Sequence, residues 1–189
     1  MDLIFVITDD EEARKKISSE CGKVHIFDCP SWYFKSNITG DKMISYPAEQ
    51  IDANIYVQLF ATAPFLKSKT INKSISILEN DKQYDSVFTV IEKHDWVWYK
   101  NKPITYTPGN LPRSQDAVPL MIESTGLYAI NKAALRSLKR RVGDKPYMLK
   151  VNEIEGLDID TTFDFFMAEI IMKNIIKVNE FIEKEDANF

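Results

Sequence analysis

A chain of 189 residues with 44% hydrophobic and 12% aromatic content can bury one good core, and a single domain over residues 1–189 is expected. Its 28 Asp and Glu outnumber 24 Lys and Arg, and the formal net charge of −4 excludes a broad nucleic-acid surface, leaving room for a local basic pocket that takes a small anion. Two cysteines without metal-spaced partners, no apolar run near twenty residues and no basic leader before the first apolar run argue against a zinc site, a membrane span and a secretory signal. They point to reduced thiols in the cytoplasm.

Residues 3–8 (LIFVIT) form a short, continuous, β-branched apolar run, the pattern of a strand buried in a parallel sheet. A helix is expected next, capped at Thr8 or Asp9, with acids in its first turn and Gly22 as its stop; a strand over 23–28 follows. Residues 30–50 mix turn and helix signals. The run ANIYVQLFA (53–61) reads as a strand ended by the loop TAPF, and Ile71, Ile75 and Leu78 then repeat at helical spacing. A strand is expected over 85–93 and an aromatic hairpin over 96–106, turning at residues 100–103 (KNKP). A strand near Leu127 to Ile130 leads into a further helix. From Thr161 to about Lys184, Phe163, Phe166, Met167, Ile170, Ile171, Ile175 and Val178 recur at helical period. Strands alternating with helices predict an α/β fold with a mostly parallel sheet flanked by helices.

The segment GLDIDTTFDF (156–165) carries the first candidate chemistry. Asp158 and Asp160, at i and i+2 of an extended segment, project to one side. That arrangement suits Mg²⁺, which takes one or two protein carboxylates and completes its octahedron with water and substrate phosphates. The same residues also read as a helix start, with Asp160 or Thr161 as the cap and Asp164 as the acid of a capping box. Thr62 and Pro64 shape a loop at the carboxyl end of a strand, where open α/β sheets bind ligands, or simply end that strand. His25 and His94 stand isolated and receive no role.

The ordered set LPRSQDAVPLMIESTGLYAI (111–130) and LDIDTTFDFFMAE (157–169), preceded by FVITDDEEA, YVQLFATAPFL and DSVFTVIEKHDWVWYK, resembles the CMP-sugar synthetases, the cytidylyltransferases that activate acidic nine-carbon sugars. The likeness covers roughly residues 2–172 and implies a Rossmann-like fold. It also implies transfer of CMP from CTP to the anomeric hydroxyl of an acidic sugar such as N-acetylneuraminate, with release of pyrophosphate. Asp158 and Asp160 would hold Mg²⁺. Arg113 and Gln115 would meet the sugar, with Gln58, Thr62, Asp116 and Glu123 as further substrate contacts. A hairpin arm over 94–116 would pack across a homodimer and bring Lys100 or Lys102 to the neighbouring site.

Departures from the family pattern are expected to matter. Phe60 and Leu66 stand where the family has a loop Gln and Arg, so Gln58, two residues upstream on the same strand face, is the candidate replacement. Ser114, Ser124 and Thr125 replace other motif residues. None of the six glycines lies in the basic, Gly-rich triphosphate loop with which the family begins. Two alternatives stay open: a shortened or non-catalytic relative acting as a binding or assembly partner, and a glycosyltransferase that uses Asp-x-Asp for metal and nucleotide diphosphate.

Overall fold

The computed structural model describes residues 3–20 and 22–186; Met1 and Cys21, one of the two thiols, lie outside the described residues. The chain opens with a strand–helix–strand unit. β1 (Ile4–Val6) and β2 (Val24–Ile26) pair in parallel, with Ile4 opposite Val24, and α1 (Glu11–Glu20) connects them. The cap of α1 is Asp10, not Thr8 or Asp9. The helix starts at Glu11, so it is the Asp10 carboxylate that reaches the Ala13 N–H at 2.8 Å, while the Thr8 hydroxyl accepts the Asp10 N–H at 3.1 Å. Contrary to the expectation of a fully buried strand, β1 has no buried residue, and Leu3 is 54% exposed. Among the described residues it has one strand neighbour, β2, and one row of ladder bonds.

The core is a four-stranded sheet in the order β3 (Ile55–Leu59), β7 (Leu120–Asn131), β4 (Ser86–Lys93), β8 (Pro146–Val151). β7 runs against both β3 and β4, whereas β4 and β8 are parallel, so three of the four strands share one direction. Side chains alternate across the sheet, and helices cover both faces. α2 (Gly40–Ala48) lays Ile44 and Ala48 on Ile130 of β7 and on Leu135 of α4 (Lys132–Leu138). On the other face, α3 (Ser68–Asn80) packs Leu78 against Val87, Leu127, Ala129 and Leu149. This is the expected α/β fold of a sheet flanked by helices, with β7 as its reversed strand.

Three local features differ from expectation. β8 is a strand that the periodicity does not announce; it opens at a proline, which fits its edge position, and within it only Leu149 is buried. The helix expected from Thr161 to about Lys184 is two helices, α5 (Thr162–Lys173) and α6 (Ile175–Asp186), because Asn174 leaves the helical region at φ −117° and its side chain bonds the Ile170 carbonyl at 2.9 Å. The arm turns more tightly than residues 100–103. Lys100 and Asn101 take positive φ (49° and 62°), the tip of a type I′ turn, so Lys102 and Pro103 already pair in β6 (Lys102–Pro103) with β5 (Trp98–Tyr99).

Candidate functional site

The site begins with an irregularity in β7. Phe88 of β4 pairs with Tyr128 and Val90 with Glu123, so on the β4 side residues 124–127 of β7 have only Thr89 opposite them. The Thr89 hydroxyl fills the gap, donating to the Ser124 carbonyl at 3.2 Å and bonding its hydroxyl at 2.9 Å. Gly126 lies where a Cβ would stand 2.9 Å from the Ala63 methyl, so only glycine lets β7 pass the loop after β3. Bulges of this kind re-aim side chains next to binding sites. Here the bulge turns Thr125 toward the segment that carries the aspartate pair.

Asp158 and Asp160 are treated differently by the fold. Asp158 accepts the Thr125 hydroxyl on Oδ2, while its Oδ1 is buried without a hydrogen-bond partner among the described residues. The Ile159 N–H donates to the Thr62 carbonyl at 2.9 Å, docking this segment on the loop that ends β3. Asp160 is exposed. The helix cap falls on neither aspartate. Thr161 accepts the Asp164 N–H at 3.2 Å, Asp164 accepts the Thr161 N–H at 2.8 Å, and the reciprocal capping box is complete. Hydrogen bonds from the Thr161 hydroxyl and then its backbone hold the Asp164 carboxyl below its ordinary value of 3.8.

A second group of side chains lies on the α2 face of the sheet. Tyr128 is fully buried and donates its hydroxyl to Glu123, whose side chain remains 44% exposed. Burial first, and that hydrogen bond second, push the Tyr128 hydroxyl far above its ordinary value, so it stays a donor at neutral pH. Arg141, in the loop between α4 and β8, lays its guanidinium 3.8 Å from the Tyr128 ring centroid and reaches Glu123 at 3.4 Å. Gln58 is opposite Tyr128 in the ladder and donates its Nε2 to the Gly40 carbonyl at 3.3 Å. Because that partner is an acceptor, the other end of the amide must be Oε1. It is buried and lacks a donor among the described residues.

The structure therefore brings Gln58, Glu123, Tyr128 and Arg141 into one connected group, with Asp158 close enough to act on the Tyr128 hydroxyl through its charge. Thr62 joins through its backbone carbonyl and not through its exposed side chain. Sequence reasoning passed over Arg141. The signal available was the pair Arg140–Arg141 just before Gly143, but an arginine at the end of a surface helix looks solvated unless the fold is known.

The remaining candidates stand on or beside the arm. Arg113 is exposed and forks onto Asp116 at 2.6 and 3.2 Å, a local pair three residues apart. Gln115 is exposed between them. Lys100 tops the hairpin with its ammonium 5.1 Å from the Tyr99 ring, and Lys102 is exposed on β6. Among the described residues no three His, Cys, Asp or Glu side chains cluster as a metal cage. A cation here would rest on Asp158 and Asp160 alone. The buried, unpartnered Asp158 oxygen fits that requirement, since Mg²⁺ keeps most of its shell as water or phosphate. A cleft of about 230 Å³ lies elsewhere, lined by Phe65, Ile154, Met172 and Ile175, and its one carboxylate, Glu155, is committed to holding the start of α3.

The architecture is shared with solved enzymes. The chain superimposes on 4-diphosphocytidyl-2C-methyl-D-erythritol synthase from Anaerococcus prevotii DSM 20548 with a TM-score of 0.65 at 15% identity, over 92% of this chain and 79% of that one. For CMP:2-keto-3-deoxy-manno-octonic acid synthetase, solved in complex with CTP, the TM-score is 0.60 at 13% identity, over 91% of this chain and 81% of that one. At such identities the likeness is one of fold alone. In sequence the chain is 25% identical over 174 residues to N-acylneuraminate cytidylyltransferase A of Danio rerio. That match covers 88% of this chain and 40% of the relative, so the chain spans less than half of the curated protein's length. No family model matches the chain.

Proposed function

We propose that this chain is a metal-dependent cytidylyltransferase domain that transfers CMP from CTP to the anomeric hydroxyl of an acidic sugar, N-acetylneuraminate or a related nonulosonate, with release of pyrophosphate. The observation that carries the reading is Asp158. Its carboxylate is fixed by Thr125 and keeps one buried oxygen unpaired, at the position where the sequence resembles the family's metal-binding aspartates. Asp160, free of capping duty because Thr161 and Asp164 perform it, supplies the second carboxylate. Asp158 and Asp160 would hold Mg²⁺, which would supply charge neutralisation for the phosphoryl transfer.

The chain's own side chains do the positioning. Glu123, already engaged by Tyr128 and still open to solvent, is an acceptor for a sugar hydroxyl. The Gln58 Oε1 awaits a donor, which an exocyclic amine or hydroxyl of either substrate provides. The arm over 94–116 presents Trp98 and Tyr99 at 59% and 60% exposure, an aromatic surface suited to a second copy. In such a homodimer Lys100 or Lys102 would serve the neighbouring site. Cytoplasmic residence belongs to the same proposal; among the described residues no helix is long and apolar enough to cross a membrane.

A second reading is favoured by one observation: the arm exposes Trp98 and Tyr99, a surface that suits a partner whether or not the site is active. On that reading the chain is a non-catalytic relative that retains fold and arm as a binding or assembly partner. Incubation with CTP, Mg²⁺ and N-acetylneuraminate separates the two. Pyrophosphate release that disappears in Asp158→Asn supports the enzyme; a folded chain that dimerises without releasing pyrophosphate supports the partner.

A further inference from the structure

Arg141 has the features of an anion receptor without an anion. A guanidinium carries several N–H donors in a rigid plane. Here the only partner among the described residues is Glu123 at 3.4 Å, the longest of the ion pairs described. Glu123 is itself shared with the Tyr128 hydroxyl. Yet the side chain is only 23% exposed and rests on the Tyr128 ring, so its plane is set before any ligand arrives.

The backbone around Arg141 is arranged to hold it there. Its N–H donates to Asp41 Oδ1 at 2.8 Å, which fastens the loop after α4 to the first turn of α2. Gly40, the first residue of that helix, leaves the space the guanidinium uses, and a Cβ there would stand 2.9 Å from the guanidinium carbon. This is electrostatically the wrong end of a helix for a cation, because the N-terminus carries partial positive charge. Two positive fields therefore meet beside Tyr128, where the carboxylate contacts to Arg141 among the described residues are Asp41 on its backbone N–H and a long contact from Glu123 to its guanidinium. An oxyanion placed there satisfies both fields. Beside it, the fixed acceptor of Gln58, held through the Gly40 carbonyl, calls for a donor on the same ligand.

We propose that Arg141, not Arg113, is the substrate's oxyanion-reading residue. It would exchange its long contact with Glu123 for a two-oxygen edge of the ligand, and Glu123 would stay on Tyr128. The inference rests on the function proposed above, since both substrates of that reaction carry such an edge: the carboxylate of the sugar and the phosphates of the nucleotide. Arg113 already forks onto Asp116, which uses the geometry an incoming carboxylate would need.

The test is a matrix of affinities for the whole chain and for Arg141→Gln, Arg141→Lys and Gly40→Ala. The ligands form two pairs that differ by one anionic group: N-acetylneuraminate against its methyl ester, and CMP against cytidine. The unmutated chain is expected to prefer the anionic member of one pair by about 30-fold, the scale of a two-point charged hydrogen bond. Arg141→Gln should abolish that preference, Arg141→Lys should restore part of it, and Gly40→Ala should reduce it by moving the guanidinium without removing it. Which pair responds identifies the group as carboxylate or phosphate. A purely structural role would weaken all four ligands together and leave the ratios intact, and that outcome overturns the proposal. If CMP binds in an Asp158-dependent way while no ratio depends on Arg141, this inference falls and the proposed function stands. If an Arg141-dependent preference for the sugar acid is found without nucleotide binding, the function falls and the inference stands. Silence of the folded chain toward all four ligands removes both.

Discussion

At residue scale the informative contrast is between two aspartates that look alike in sequence. Asp158 keeps a buried oxygen without a donor, whereas Asp160 is exposed. An unpaired buried carboxylate oxygen costs stability in the absence of a cation. Asp158→Asn is therefore predicted to raise metal-free stability by about 1 kcal/mol in a thermal melt, while losing any stabilisation that Mg²⁺ gives the unmutated chain. The capping box makes a separate prediction. Thr161→Ala should cost about 1 kcal/mol, read by denaturant unfolding, without affecting nucleotide binding. Asp164 adds a pH dependence. Its folded pKa lies below the ordinary 3.8, so its stabilisation is complete above the unfolded value and is lost as the pH falls through the folded one. Asp164→Asn should flatten the stability profile in that acid window and nowhere near neutrality. Of this group, the Thr161–Asp164 box was legible because capping is local in sequence. Which aspartate was left over was not, since that depends on Thr125 arriving from β7.

At the scale of elements, α3 shows how a distant residue replaces a local signal. Lys67 precedes the helix and makes no side-chain cap. Buried Glu155, from the turn after β8, accepts the Lys67 N–H at 3.1 Å and the Thr70 hydroxyl instead. Charge-assisted bonds of this type contribute about 1.5–3 kcal/mol each. Glu155→Ala is predicted to destabilise the chain by several-fold more than an exposed Glu153→Ala control. Backbone exchange protection should fall first at the start of α3. For the arm, Trp98→Ala together with Tyr99→Ala should shift the chain toward monomer in sedimentation if that surface meets a second copy; unchanged mass would separate the arm from assembly. The hairpin itself was visible from its aromatics and the KNKP sequence. The tightness of its turn was not, because Lys100 and Asn101 carry no glycine to announce positive φ. The break at Asn174 escaped for a related reason: the apolar period runs through it, while the backbone turn of Asn174 and its side chain's bond to Ile170 end the helix.

At the scale of the whole molecule, helices on both faces of a sheet followed from apolar runs alternating with helical spacing, and the structure has that form. Strand order and the reversal of β7 did not follow, since periodicity reports burial and not neighbours. The 3–8 run shows the limit from the other side: its composition is that of an interior strand, yet among the described residues β1 pairs with β2 alone and stays half-buried. The site is likewise a property of the assembled sheet. Its two parts come from segments as far apart as Gly40 and Asp158, and they meet only because β7 pairs with β3 and bulges past Thr89. Whether this assembly binds a nucleotide through metal is decided by calorimetric titration of the 189-residue chain with CTP and Mg²⁺, repeated without the metal and on the Asp158→Ala, Asp160→Ala double variant. We expect saturable binding that requires Mg²⁺ and vanishes in the double variant. A folded chain that ignores CTP, or binds it equally well without the aspartates, would mean that this chain does not hold a nucleotide through them.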